Sequence, residues 1–194
     1  MYPIHYKFKR IALANKLMVT DSGGQQLFYA HQKMLKLKEK IIVYADSSKS
    51  NVIGELNADR VIDFSPLFTF TDTTGRIISS IKRQGRKSIW RAHYAVMGAD
   101  EQVVFTIREA NVWVKVADTF MNQIPGLALV SGYFFNPTYN VIDTDGQVVA
   151  KIIKQRSFFE AAYDLVCDSP QTTDPNNILP ISILAMLTRE RLRG

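Results

Sequence analysis

Ile178-Leu179-Pro180-Ile181-Ser182-Ile183-Leu184-Ala185-Met186-Leu187 is the stretch on which the fold turns. It carries no charge, and its one hydroxyl, on Ser182, is small; Thr188 follows at its end. A helix on the surface of a globular protein shows a wet stripe, so one that is apolar all round must be enclosed on every flank. The flanking residues suit a helix. Asp168 to Pro175 has the composition of a loop. Asn176-Asn177 suits a cap, and Pro180 is tolerated in the first turn, where its missing N–H would have had no partner. Arg189, Arg191 and Arg193 are expected to emerge at the C-terminal end, where cations complement the helix dipole.

The rest of the chain supplies the enclosure. In Tyr2-Pro3-Ile4-His5-Tyr6-Lys7-Phe8-Lys9 the even positions are apolar and most odd positions polar, the alternation of a strand with one buried and one wet face. The same texture recurs at Leu67 to Thr71, Val103 to Ile107 and Val112 to Val116, all rich in residues that fit a pleated surface. Between such runs, Asp21-Ser22-Gly23-Gly24, Asp72-Thr73-Thr74-Gly75 and Asp143-Thr144-Asp145-Gly146 share one pattern, Asp-x-x-Gly. An aspartate at the first position bonds the turn backbone, and a glycine at the fourth takes the left-handed conformation, so each reads as a type I turn closing a hairpin. Asp46-Ser47-Ser48-Lys49 and Met97-Gly98-Ala99-Asp100 read as degenerate versions. The sequence thus predicts at least five hairpins, too irregularly spaced for a solenoid or propeller. A soluble chain with so many strands has one natural place for an all-apolar helix, inside a closed or nearly closed sheet.

Composition agrees with a single packed domain over residues 1–194. Hydrophobic residues make up 46% and charged residues 22% of the 194 residues, ordinary values for a globular chain. Cys167 is the one cysteine, which excludes an intrachain disulfide and favours a cytosolic setting. Met1 to Arg10 lacks the apolar core of a signal peptide, and the most apolar stretches, Ile124 to Phe135 and Ile178 to Leu187, are too short to cross a bilayer as a helix. The expected location is cytoplasmic, at most peripheral to a membrane. A net charge of +6 favours anionic partners, although it also lies within the range that keeps small domains soluble.

The repeated apolar-Asp-x-x-Gly-polar-apolar hairpins, ended by an apolar C-terminal helix, resemble the tubby C-terminal-like superfamily. The resemblance is to its LURP-one-related and phospholipid-scramblase-like branch and spans about Tyr2 to Leu192. It implies a mainly β fold: a closed antiparallel β-barrel of about twelve strands around a central hydrophobic helix. Tubby proteins bind phosphoinositides through basic residues, but no residue-by-residue match to those positions exists here. Scramblases also carry a membrane helix and palmitoylated cysteines; this chain has neither a long apolar C-terminal span nor a cysteine besides Cys167, so lipid scrambling is not implied.

No catalytic constellation emerges. His5, His31 and His93 are scattered without metal-ligand spacing. The Asp143-Thr144-Asp145-Gly146 turn fails as a calcium loop, because Val141 and Ile152 would stand where that loop needs carboxylates. No nucleophile elbow, Walker A loop or Rossmann fingerprint is present, and no cofactor is expected. Cys167, at the end of an apolar run, reads as a core residue. The candidate site is a basic cluster, Lys82, Arg83, Arg86, Lys87 and Arg91, with Trp90 beside it as an interfacial aromatic. Clustered cations at a turn grip phosphates of lipid headgroups or nucleic acid; they also guard a sheet edge against pairing. Lys36, Lys38 and Lys40 form a second basic stretch, with Lys33 before it, on one face of a strand, and read as a wet sheet face. The expected function is a non-enzymatic module for an anionic ligand, a phosphoinositide or other acidic phospholipid surface. The alternative is a nucleic-acid-associated protein using the same cations, and an enzyme is the reading with least support, since a helix filling the barrel leaves little room for substrate.

Overall fold

The computed structural model describes residues 1–11, 14–33, 40–58, 67–84, 92–110, 137–155, 161–167 and 178–192. Twelve strands run in chain order: β1 (Ile4–Ile11), β2 (Ala14–Thr20), β3 (Gln26–Lys33), β4 (Lys40–Tyr44), β5 (Val52–Ala58), β6 (Leu67–Asp72), β7 (Ile77–Arg83), β8 (His93–Met97), β9 (Val103–Glu109), β10 (Thr138–Ile142), β11 (Val148–Lys154) and β12 (Ala162–Cys167). One helix, α1 (Ile178–Leu192), follows. Every strand pairs antiparallel with its sequence neighbours, and β1 pairs with β12, so the sheet closes on itself with no free edge. The predicted stretch Val112 to Val116 lies outside the described residues, as do the cap residues Asn176 and Asn177.

Alternation puts one face of each strand inside. On β1, Ile4, Tyr6 and Phe8 are buried, while His5, Lys7 and Lys9 face outward. The interior holds α1, whose residues from Ile178 to Arg189 are all buried. Leu179, Ile183, Leu184 and Met186 have no exposure at all, on different sides of the helix. Each such side chain contributes about 1.5–3 kcal/mol on leaving water, which no surface position would return. The Tyr6 hydroxyl donates to the Pro180 carbonyl oxygen at 3.1 Å, so the one polar group of that wall residue is satisfied inside the barrel. Gly54 on β5 leaves room for β6: a Cβ there would meet the Thr71 carbonyl oxygen at 2.3 Å and the Phe70 ring at 2.5 Å.

Five hairpins, β2–β3, β4–β5, β6–β7, β8–β9 and β10–β11, close at one end of the barrel, here the turn end. Their aspartates behave as the sequence predicts. Asp21 Oδ1 accepts the Gly23 and Gln25 amides at 2.9 Å, Asp72 Oδ1 those of Thr74 and Arg76, and Asp143 Oδ1 those of Asp145 and Gln147. The fourth residue is left-handed in all five turns: Gly24 (φ 81°), Gly75 (φ 86°) and Gly146 (φ 82°), but also Lys49 (φ 62°) and Glu101 (φ 61°). The last shows that the fourth turn is Gly98-Ala99-Asp100-Glu101, one residue later than the sequence reading, with the Glu101 amide bonded to the Gly98 carbonyl at 3.1 Å. A register shift accompanies every turn, at Val19/Thr20, Val43/Tyr44, Phe70/Thr71, Val96/Met97 and Val141/Ile142, the bulge expected beside a left-handed residue.

The opposite, far end is where β1 joins β2, β3 joins β4, and so on to β11 and β12. Helix α1 enters the barrel from the turn end, where β12 finishes, and its last residues reach the far end. There the Tyr94 hydroxyl, at the start of β8, donates to Glu190 Oε1, and the Arg189 guanidinium lies 5.7 Å from the centroid of the Phe68 ring. Arg189 is therefore not the emergent cation that the sequence suggests: it is buried, its charge held over an aromatic face.

Candidate functional site

The basic cluster divides on folding. Lys82 and Arg83 are adjacent on β7 and so point to opposite faces of the sheet. Lys82 is exposed on the outer wall, beside Leu67 of β6 and Ala95 of β8 in register. Arg83 shares the inward face with Ser79 and Ile81, is half-buried, and stands opposite Tyr94. Arg86, Lys87, Trp90 and Arg91 lie outside the described residues. The segment that carries them leaves and re-enters the sheet at Gln84 and His93, whose backbones are joined by a 2.9 Å hydrogen bond. Of the second basic stretch only Lys40 has a described side chain, exposed and bonded to Glu55 at 2.5 Å.

Register assembles something on the outer wall that the sequence does not display. His93 of β8 is the Cα partner of Arg108 of β9, Arg108 of Asn140 on β10, and Asn140 of Lys151 on β11. All four have the outward parity of their strands, and Lys82 of β7 shares that face. Neighbouring strands stand about 4.8 Å apart, so His93, Arg108, Asn140 and Lys151 form one polar row running from the far end of β8 to the middle of β11, and Lys82 stands two residues off that row, level with Ala95. Arg108 Nε donates to His93 Nε2 at 3.3 Å. No carboxylate occupies an outward strand position from β7 to β11. On the other wall the outward carboxylates are paired: Glu55 with Lys40 and Asn57, and Asp164 with His5 at 2.7 Å and Gln155 at 2.6 Å.

Behind the row, at the inner rim of the far end, lies a buried polar cluster. Tyr94, Tyr139, Glu109 and Arg189 are all less than a tenth exposed, and Glu190 receives the Tyr94 hydroxyl. Glu109 Oε2 accepts the Ala92 amide at 3.2 Å. Burial, reinforced by the Glu190 carboxylate, pushes the Tyr94 hydroxyl well above the usual phenol range, while Arg83 and Arg189 pull the other way. Tyr139 is raised for the same leading reason, burial, with Glu190 next. Both hydroxyls stay protonated, and that of Tyr94 donates to Glu190. That bond ties the end of α1 to the wall.

Charge is also sorted along the barrel axis. The turns carry Asp21, Asp46, Asp72, Asp100, Glu101, Asp143 and Asp145, with Lys49 and Arg76 as their cations. In none of the twelve strands does a lysine or arginine occupy the three residues nearest the turn end. Every described strand cation falls in the remainder, toward the far end. Asp46 and Asp72 are held below the usual carboxylate range by turn hydrogen bonds, to Ser48 and to Thr74 first.

Among the described residues no group of histidine, cysteine and carboxylate side chains could hold a metal ion, and no helix is long and apolar enough to cross a membrane. Cys167 is half-buried at the end of β12, packed against the core.

Comparison with known proteins agrees with this architecture. A family described as LURP-one-related matches residues 26–169. A crystal structure of an Arabidopsis thaliana protein superposes with a TM-score of 0.51, covering 98% of this chain and 92% of that one at 14% sequence identity, a likeness of fold. No curated protein matches the chain.

Proposed function

The chain belongs to the LURP-one-related family, within the tubby-like superfamily, and from that footing we propose that it is a non-enzymatic binding module, one domain over residues 1–194, that recognises anionic lipid headgroups at the periphery of a membrane. One observation carries the reading: the outward row of His93, Arg108, Asn140 and Lys151 across β8 to β11, with Lys82 on the same face of β7 level with Ala95, and no carboxylate on the outward face of β7 to β11. Such a row offers cations and hydrogen-bond donors together, the chemistry that holds a phosphate. By sequence, Arg86, Lys87 and Arg91 add charge between Gln84 and His93, and Trp90 adds an aromatic of the kind that anchors at a bilayer interface.

Co-sedimentation with vesicles tests it. The protein is expected to pellet with phosphatidylcholine vesicles containing phosphatidylserine or phosphoinositide and to stay in solution with phosphatidylcholine alone. Each basic residue at an acidic surface is worth about 1 kcal/mol, so Arg108→Gln should weaken binding roughly fivefold. Equal weak binding to neutral and acidic vesicles would refute the proposal.

A further inference from the structure

The outer wall from β8 to β11 carries three kinds of chemistry at three levels. At the turns the charges are all acidic: Asp100 and Glu101 between β8 and β9, Asp143 and Asp145 between β10 and β11, with no lysine or arginine in either turn. Next come outward aliphatic side chains, Met97 beside Val103 and Ile142 beside Val148 as Cα partners. Val103 and Val148 are exposed to 45% and 40%, large apolar surface left in water. Farther from the turns stand His93, Arg108 and Lys151. Among the described residues Asp100, Glu101, Asp145 and Arg108 form no ion pair. The wall from β4 to β7 lacks this order, since its turns include Lys49 and Arg76 and Glu55 lies in mid-strand.

Acid and base are placed symmetrically about the aliphatic band. The midpoint of Glu101 and Arg108 along the chain falls between Val104 and Phe105, and that of Asp145 and Lys151 falls at Val148. Thr106, Ile142 and Val148 are in register, so the two midpoints lie within about 5 Å of one level at the strand rise of about 3.3 Å per residue. A two-fold axis in the contact plane, running across the strands at that level, lays a second copy of the wall on this one with its strands antiparallel. Arg108 then meets the Glu101 turn of the second copy, Lys151 meets its Asp145 turn, and the aliphatic band meets itself. Each contact occurs twice, as in any isologous interface. A two-fold axis along the strands would instead set carboxylates against carboxylates and cations against cations.

From this self-complementarity we infer that the β8–β11 wall docks on the same wall of a second copy of the chain, in an antiparallel two-fold dimer. Four strands about 4.8 Å apart, over about eight residues of their length, offer roughly 500 Å² per copy, the low end for a specific contact. The dimer is therefore weak, and its charge contacts make it sensitive to salt. This pairing goes beyond the membrane reading and does not depend on it. The two share Arg108 and Lys151, however: the dimer covers cations that a headgroup would engage, so the vesicle-bound form is the monomer.

Sedimentation velocity of the full chain over a concentration series at low ionic strength should show a reversible monomer–dimer equilibrium that weakens as salt is added. Arg108→Glu and Glu101→Arg each set like charges in contact twice, and each should weaken dimerisation by at least about tenfold. Both side chains are exposed, so melting temperatures should stay near the parent's. An equimolar mixture of the two variants should regain the dimer, because in the mixed pair every glutamate at these positions meets an arginine of the other copy. Rescue in trans separates a contact between copies from any change within one chain. Glu101→Arg keeps the cations of the membrane reading, so it should hold or strengthen binding to phosphatidylcholine–phosphatidylserine vesicles, whereas Arg108→Glu should weaken vesicle binding and dimer alike. A parent that is monomeric at every concentration, a species larger than a dimer, a dimer indifferent to both reversals, or a mixture no more dimeric than its components overturns the pairing. Absence of vesicle binding by a chain whose dimer responds as described overturns the lipid reading alone.

Discussion

At the turn end of the barrel five connections share a left-handed fourth residue and a bulge, and four of them open on an acceptor aspartate. At the far end the connections differ in length, and the described surface mixes buried tyrosines, carboxylates and arginines with an exposed cationic rim. The turn end satisfies its own backbone locally; each hairpin there would close much the same way beside any other strand pair. Order at the far end is collective, because Tyr94, Glu190, Arg189 and Phe68 come from three distant parts of the chain and meet only once α1 is inside. A short-range code builds one end, and packing of the helix builds the other.

The comparison breaks first at the element both ends share. Leu184, fully buried near the middle of α1, should cost about 2–5 kcal/mol when truncated to alanine, seen as an equal loss at both ends by chemical denaturation and hydrogen exchange. A loss confined to the far end would mean that the turns stand without the helix. Next, Tyr94→Phe removes the hydroxyl that Glu190 accepts and should cost about 1.5–3 kcal/mol, the range for a hydrogen bond to a charged group, with exchange rising at the far end before the turn end. Within the turns, Gly75→Ala should cost about 1–2 kcal/mol, and Glu101→Gly should gain up to about 1 kcal/mol, since both positions are left-handed and only one carries a glycine. If Glu101→Gly gives no gain in melting temperature, the five turns are not energetically equivalent.

Titration sharpens the contrast more gently. Tyr94 and Tyr139 have raised folded-state pKa values, so their contribution is complete below the unfolded phenol value of about 10 and is lost as pH climbs from there toward the folded values. Alkaline unfolding should therefore begin at the far end, and Tyr94→Phe should flatten the alkaline slope. Asp46 and Asp72 are lowered, so their contribution is present above the unfolded carboxylate value of about 3.9 and is lost as pH falls through the folded values. Acid weakening is expected at the turns and should be slight, because both side chains are solvated; hydrogen exchange at Thr74 and Ser48, whose amides the two carboxylates accept, reads it against pH.

The basic cluster shows where reading the chain stops. Lys82 to Arg91 is conspicuous as a run, yet the sheet sends Lys82 outward and Arg83 inward, and it brings Arg108 and Lys151 to the outer face instead. Alternation within each strand is enough to put Arg108 and Lys151 on a wet face. It could not say that β9 and β11 flank one strand whose Asn140 lies level with both, because register between strands depends on the pairing of the whole ring.

The sequence by itself determined the kinds of element and their count of turns: period-two alternation sets which side chains face inward, Asp-x-x-Gly sets where hairpins close, and a helix without a wet side dictates that the strands surround it. These are local or compositional facts, carried by neighbours along the chain. Tertiary structure alone decided the ring's closure through β1 and β12, the burial of Arg189 over Phe68 and the polar row from His93 to Lys151. Each depends on residues far apart in sequence brought to one place by strand register and by the helix inside, and neither register nor enclosure is written in any single segment.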